Sequence, residues 1–282
     1  MATLIDTEAR AIYRGQAGYP ARLAALGDGP DPLWMAGRWS PSERAVAVVG
    51  ARAAGARALE LGHAIGRALA EAGVDVISGG ALGLDQSAHR GALDGGGATV
   101  AVLGTGIDVV YPLKHLGLYQ EIIATRGALL TQFPPGMQPN KGTFPTRNKI
   151  IAALADVVVV VEASVVSGTL HTVRAAQVLG RALAAVPGSP GTDAMIVEGA
   201  AAVASPEDVV ALAFGRPLAP LAAPGDPDAA RLYAALDRTP RDVGDLAFRA
   251  GLAIGTCAAM VLDLELGGLA ARAAGGRYIR LR

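Results

Sequence analysis

The stretch DVVVVVEAS (Asp156 to Ser164) constrains this chain more than any other, because it holds five consecutive valines. β-branched side chains favour extended backbone, and no polar residue alternates with these. Such a run has no face to offer water, so it belongs inside a parallel sheet covered on both sides. Similar runs recur, each ending in glycine or small polar residues: AVAVVG (Ala45 to Gly50), VDVISGGA, ATVAVLGTG and RALAAVPG. Stretches with helical spacing separate them: ALELGHAIGRALAEAG, LDQSAHRGALDGG, RNKIIAALA and SGTLHTVRAAQVLG. YQEIIATRGALLTQF supplies a helix and a strand, and DAMIVEGAAAVASPEDVVALAF reads as helical. The alternation predicts a doubly wound, mostly parallel α/β sheet over residues 44–214. Hydrophobic residues make up 51% of the chain but aromatics only 4%, so its core must be built largely from Ala, Val, Leu and Ile.

The flanks differ from this pattern. Residues 1–43 hold a short helical pattern and then YPARLAALGDGPDPLWMAG, punctuated by prolines; they read as a cap packed through Leu23, Leu26, Leu33 and Trp34. Residues 215–227 carry four prolines and read as a linker. Residues 228–282 contain three helical stretches and a hairpin with Gly275-Gly276 at its tip, the layout of a winged helix. Formal net charge is zero, so a nucleic-acid site would have to be a local basic patch. One cysteine, Cys257, excludes an intramolecular disulfide framework, and the four histidines show no metal-ligand spacing. No cofactor is expected. The first residues have no apolar signal core, and no apolar run approaches the roughly 20 residues needed to span a bilayer. The expectation is a soluble cytoplasmic protein with no membrane partner.

Ligands of open parallel sheets bind outside the carboxyl ends of the strands. Here those ends read VVGARAAG, ISGGALGLD, VLGTGID, VEASVVSGT and VPGS. Glycine turns there let backbone N–H groups approach an anion, which favours a phosphate-bearing ligand. The dinucleotide fingerprint is poor: Arg52 replaces its second glycine, and Ser78 stands where an acid would read a ribose. The Walker pattern is absent. Asp85 and His89 share a helix face, where an acid–base pair is less favoured than a pair that fixes a loop; Glu162 ends the long strand, where a catalytic carboxylate can sit and an acid that holds a neighbouring loop fits at least as well. None of these patterns assembles a complete catalytic constellation.

KGTFPTRNK (Lys141 to Lys149) gathers two of the chain's three lysines, Arg147, and one of its four phenylalanines. Arg147 and Asn148 are expected to open a helix, with Pro145 holding the preceding chain extended. A cation for phosphate beside a ring for base stacking is a minimal single-strand site. Spacing alone equally allows Phe144 as a core plug and the cations as solvated side chains.

With these residues in view, the chain resembles the DNA-processing protein A family (DprA, also called Smf). The ordered motifs are YPARLAALGDGPDPLWMAG, VAVVGAR, SGGALGLDQSAHRGAL, VLGTGIDVVYP, FPTRNKIIAALAD, VVVEASVVSGTLHT and AVPGS. The resemblance implies an extended Rossmann-like fold that forms a homodimer and binds single-stranded DNA. It implies protection of incoming strands during natural transformation and loading of the RecA recombinase, with no established turnover. The implied DNA-binding set is Gly50 and Arg52, Lys141 and Phe144, Arg147, Asn148 and Lys149, and Ser167, Gly168 and Thr169. Thr131-Gln132 and SGTLHTV depart mildly from the family pattern. In the winged helix, Arg272, Arg277, Arg280 and Arg282 favour DNA contact, while Asp242, Asp245, Asp263 and Glu265 favour a protein partner. Two rivals are a nucleoside-monophosphate hydrolase of the lysine-decarboxylase-like group and a nucleotide sensor. The P-G-G-x-G-T-x-x-E segment of the first is missing.

Overall fold

The computed structural model describes residues 9–24 and 26–282. Among these residues, nine strands form one sheet. The expected strands are β3 (Ala45–Val49), β4 (Asp75–Ser78), β5 (Thr99–Val102), β6 (Ala128–Thr131), β7 (Val157–Val160) and β8 (Ala182–Ala185). Three more, β1 (Arg10–Ile12), β2 (Leu33–Gly37) and β9 (Ala201–Ala202), extend the sheet at its edges. The sheet order is β1-β2-β6-β5-β4-β3-β7-β8-β9, and every neighbouring pair from β6 to β9 is parallel. Helices α2 (Ala56–Glu71), α3 (Leu84–Asp94), α4 (Leu116–Ala124), α5 (Thr143–Leu154), α6 (Thr169–Val178), α7 (Pro190–Val197) and α8 (Pro206–Ala213) cover the two faces.

The valine run shows why the sheet is two-sided. Val157, Val159 and Val161 pack with Ile65 and Leu69 of α2 and Val209 of α8. Val158 and Val160 share the opposite core with Ile150 and Leu154 of α5 and Val173 of α6. All five are at most 3% exposed. Full burial contributes roughly 1.5–3 kcal/mol per side chain of this kind.

The cap differs from expectation. Any helix over residues 1–8 lies outside the described residues. Residues 10–12 are the strand β1, followed by the one-turn α1 (Ala21–Ala24) and then β2. β2 pairs antiparallel with β6, and β1 antiparallel with β2, so the cap is continuous with the sheet. Leu23, Leu26 and Leu33 are buried, and Trp34 is half-buried. Arg22 clamps the cap to the strand starts through Asp156, at 2.8 Å, while Trp39 Nε1 donates to Asp75 Oδ2 at 2.9 Å. A second correction concerns residues 193–214. β9 interrupts the expected helix and pairs with β8.

The C-terminal part is a winged helix. It comprises α9 (Pro227–Ala235), α10 (Val243–Ala250), α11 (Ile254–Leu266), and the hairpin β10 (Ala270–Ala273) and β11 (Arg277–Arg280). Gly275 and Gly276 both take positive φ at the tip. Leu232, Leu246, Cys257, Val261 and Tyr278 form its own core. Ala271, Ile279 and Leu281 join Met195 and Ile196 of α7 in the main core. Arg282 forks onto Asp208 of α8 at 2.6 and 3.0 Å. Among the described residues, no single helix is long and apolar enough to cross a membrane.

Candidate nucleic-acid interface

Strand order reverses between β3 and β7, and a crevice opens outside the carboxyl ends of strands at such a point. The turn after β3 forms one wall. Ala51 N donates to Glu162 O at 2.9 Å, and Leu84 N donates to Ala51 O at 3.3 Å. A Cβ on Gly50 would run into Leu84 and stand 3.0 Å from Glu162 O, so only glycine fits. Arg52 emerges exposed from this turn. Glu162 Oε2 accepts from Gly55 N at 3.3 Å, which corresponds to the loop-holding one of the two roles open to it from the sequence.

The loop after β7 forms the facing wall. Thr169 is buried, and its Oγ1 donates to Gly50 O at 3.2 Å; Ser167 Oγ accepts from Thr169 N at 3.2 Å. The Thr169 hydroxyl therefore ties the two turns together, the Ser167 hydroxyl shapes its own loop, and only Gly168 of the three lies open on the surface.

Helix α5 begins at Thr143, one turn earlier than expected. Asn140 Oδ1 accepts from Gly142 N at 2.9 Å and Thr143 N at 3.1 Å, an Asx turn that starts the helix. Pro145 falls inside the first turn, where its missing N–H has no intrahelical acceptor to lose. Phe144 consequently stands on a rigid helix, and Lys141 is exposed on the turn before it. The Phe144 ring packs so closely on Gly104 that a Cβ there would come 2.6 Å from its Cδ1. The Arg52 Cζ lies 5.7 Å from the Phe144 ring centroid, and the Tyr111 ring lies 5.5 Å away at 44°. Loops after β3 and β5 and the start of α5 thus converge on one ring. Among the described residues, neither Arg52 nor Lys141 is paired with a carboxylate.

The earlier helix start moves the RNK segment inward. Arg147 is only 4% exposed, and its Nη1 donates to Gly79 O and Val102 O. It faces buried Asp85, whose Oδ2 accepts from Gly79 N at 3.1 Å and Ala81 N at 3.2 Å. Burial holds the Arg147 guanidinium below its usual range and pushes the Asp85 carboxyl up; each charge offsets part of the other's shift. Asn148 Oδ1 accepts from Arg147 Nε at 3.1 Å, while its Nδ2 donates to Gly168 O at 3.3 Å. Lys149 Nζ is 2.6 Å from Asp28 Oδ2 and pins the cap. These three residues frame the site from behind rather than lining it with free groups.

Asp85 and His89 do not pair with each other. His89 Nδ1 meets Thr99 Oγ1 at 2.7 Å, and burial depresses its pKa to about 3. Tyr119 Oη stands 3.0 Å from Gly80 O and 2.9 Å from Tyr111 O, so it ties the loops after β4 and β5 together. Tyr111 is the site residue that sequence reasoning missed. Its signal was an aromatic next to proline in VLGTGIDVVYP, a strand-end segment already noted for its glycines.

Residues 10–213 match the family of DNA recombination-mediator protein A, and residues 216–276 match the DprA winged helix domain. A relative from Mycobacterium tuberculosis, named putative DNA processing protein DprA, is 43% identical over 203 residues, covering 69% of this chain and 52% of the relative. The chain thus spans about half the length of that relative. Protein Smf of Escherichia coli is 36% identical over 284 residues, covering 94% of this chain and 75% of the relative. A solved structure of DNA processing protein A from Helicobacter pylori, described as showing a unique single-stranded DNA binding mode, superposes with a TM-score of 0.68 at 26% identity. It covers 77% of this chain and 100% of that one. With its sheet, its winged helix and both matched segments in agreement, the chain belongs to the DNA recombination-mediator protein A family.

Proposed function

We propose that this chain binds single-stranded DNA along the carboxyl edge of its sheet and acts as a recombination mediator. In this role it protects incoming strands during DNA uptake and delivers them to the RecA recombinase, working as a cytoplasmic homodimer without catalytic turnover. The observation that carries the reading is the gathering of two exposed cations, Arg52 5.7 Å from the Phe144 ring and Lys141 on the turn before it, neither paired with a carboxylate among the described residues. Cations hold phosphates at salt-dependent affinity, and a ring supports a base. The single-strand binding described for the Helicobacter relative points the same way. Of the ten candidate residues, we assign direct strand contact to Arg52, Lys141, Phe144, the partly buried backbone at Gly50 and the exposed backbone at Gly168. Arg147, Asn148, Lys149, Ser167 and Thr169 are assigned to holding the loops in place. We take residues 44–214 as the DNA-binding unit, 1–43 as its cap, 215–227 as a linker and 228–282 as the winged helix. A nucleotide-hydrolase reading is disfavoured, because the chain lacks the P-G-G-x-G-T-x-x-E segment that joins anion loop to catalytic acid.

Helix α11 would enter the major groove in a duplex-reading winged helix. It carries no Lys or Arg, and Ile254, Leu262 and Leu266 are exposed on it. A protein partner suits it better than a duplex.

The test is fluorescence anisotropy of a labelled oligonucleotide, single-stranded against duplex, across a salt series. The expected result is preference for the single strand, with log affinity falling linearly against log salt. No binding at low salt overturns the proposal.

A further inference from the structure

Within the strand-binding reading, on which this step rests, we infer that Tyr111 is a second base-stacking surface of the site, set beside Phe144. Phe144 is only partly exposed and already has three neighbours: Gly104 against its edge, Arg52 and Tyr111. Part of that ring is thus already covered. Tyr111, at 44% exposed, offers more.

The backbone beneath Tyr111 is fixed while its ring is free. Its carbonyl oxygen accepts from Tyr119 Oη, which is also shared with Gly80 O. Tyr119 is itself fully buried. Among the described residues, the Tyr111 hydroxyl forms no hydrogen bond within the chain, and the aromatic contact of its ring is the tilted one with Phe144. A pinned backbone with a free aromatic face loses little conformational freedom when a base stacks on it. The surroundings suit a base as well. Leu113, at 63% exposed, follows on the same loop, and Leu82, at 42%, rises from the loop after β4. Exposed apolar side chains thus accompany Tyr111 on its own and the adjoining loop, and the Arg52 guanidinium stands 5.7 Å from the Phe144 ring. A strand whose phosphates follow Arg52 and Lys141 would lay its bases towards Tyr111.

The experiment compares wild type with Tyr111→Ala, Tyr111→Phe and Phe144→Ala. The probes are an oligothymidine and an oligonucleotide of equal length whose central nucleotides lack bases, each titrated across a salt series. Wild type should bind the abasic strand more weakly. Tyr111→Ala should weaken oligothymidine binding about tenfold or more and shrink the abasic penalty, with the salt slope unchanged. Tyr111→Phe should behave as wild type. Unchanged thermal melting of Tyr111→Ala excludes a folding defect, and a merely structural role would not move the abasic penalty. The inference is overturned if Tyr111→Ala binds within twofold of wild type with its abasic penalty intact. It is equally overturned if Phe144→Ala alone removes that penalty. In both cases wild type still binds, so the strand-binding reading stands; failure of wild type to bind overturns both.

Discussion

Lys141 and Phe144 are three residues apart and do different work, and salt separates the two. Lys141→Ala should lower the slope of log affinity against log salt by roughly 0.7 for each single-strand phosphate that the lysine neutralises in wild type. Phe144→Ala should weaken binding with the slope nearly intact, and equal slopes for wild type and Lys141→Ala would sink the phosphate role. Arg147 obeys another rule, since its guanidinium is buried against Gly79 O, Val102 O and Asp85. Arg147→Ala leaves Asp85 and two carbonyls without their partner, and should cost about 3–5 kcal/mol in urea unfolding. The salt slope of the protein that remains folded should not change. The sequence showed that cations and a ring gather at Lys141–Lys149, but not which of them face outward. That depends on where α5 starts, and a one-turn shift carries Arg147 from the rim into the core.

Element boundaries explain most of what the sequence concealed. The long apolar runs were legible because a strand buried on both faces has no other composition open to it. β1, β2 and β9 were not, since three, five and two residues carry no periodicity; pairing with β6 and β8 makes them strands. Pro145 reads as a helix breaker, yet the first turn tolerates it. The signal for the true start was Asn140, an Asx-turn former two residues before Gly142. Asn140→Ala should remove that turn and cost about 1 kcal/mol of stability, measured by urea unfolding. Asn140→Asp should keep the acceptor and the stability while weakening strand binding, because it sets a carboxylate beside Lys141. Equal stability of wild type and Asn140→Ala would show that the turn does not start the helix.

At the scale of the whole molecule, the sheet and winged helix answer jointly to pH. Arg282 holds the winged helix to Asp208. Burial opposes ionisation of that carboxyl, but the Arg282 guanidinium and the Ala204 and Ser205 amides outweigh it and keep its pKa below the usual range. A depressed carboxyl contributes stability above its unfolded pKa and loses it as pH falls through the folded value. His89 acts in the same direction from inside the sheet. An unfolded histidine titrates near 6.5, whereas burial holds His89 to about 3. Between those values the unfolded chain takes up a proton that the folded chain refuses. Its contribution is therefore intact above about pH 6.5 and declines steadily towards pH 3, by roughly 3–5 kcal/mol in all at 1.36 kcal/mol per pH unit. Asp85 works against this trend: its raised pKa makes the folded state the better proton binder just above the unfolded carboxyl range. A single acid titration therefore mixes opposite signs, and a substitution is needed to separate them. His89→Asn keeps a donor for Thr99 Oγ1 and removes the titrating ring. Stability against pH should be flatter for His89→Asn than for wild type between pH 6 and 4, with the two curves parallel above about pH 7. Parallel curves across the acid range would mean that His89 takes its proton without unfolding the sheet.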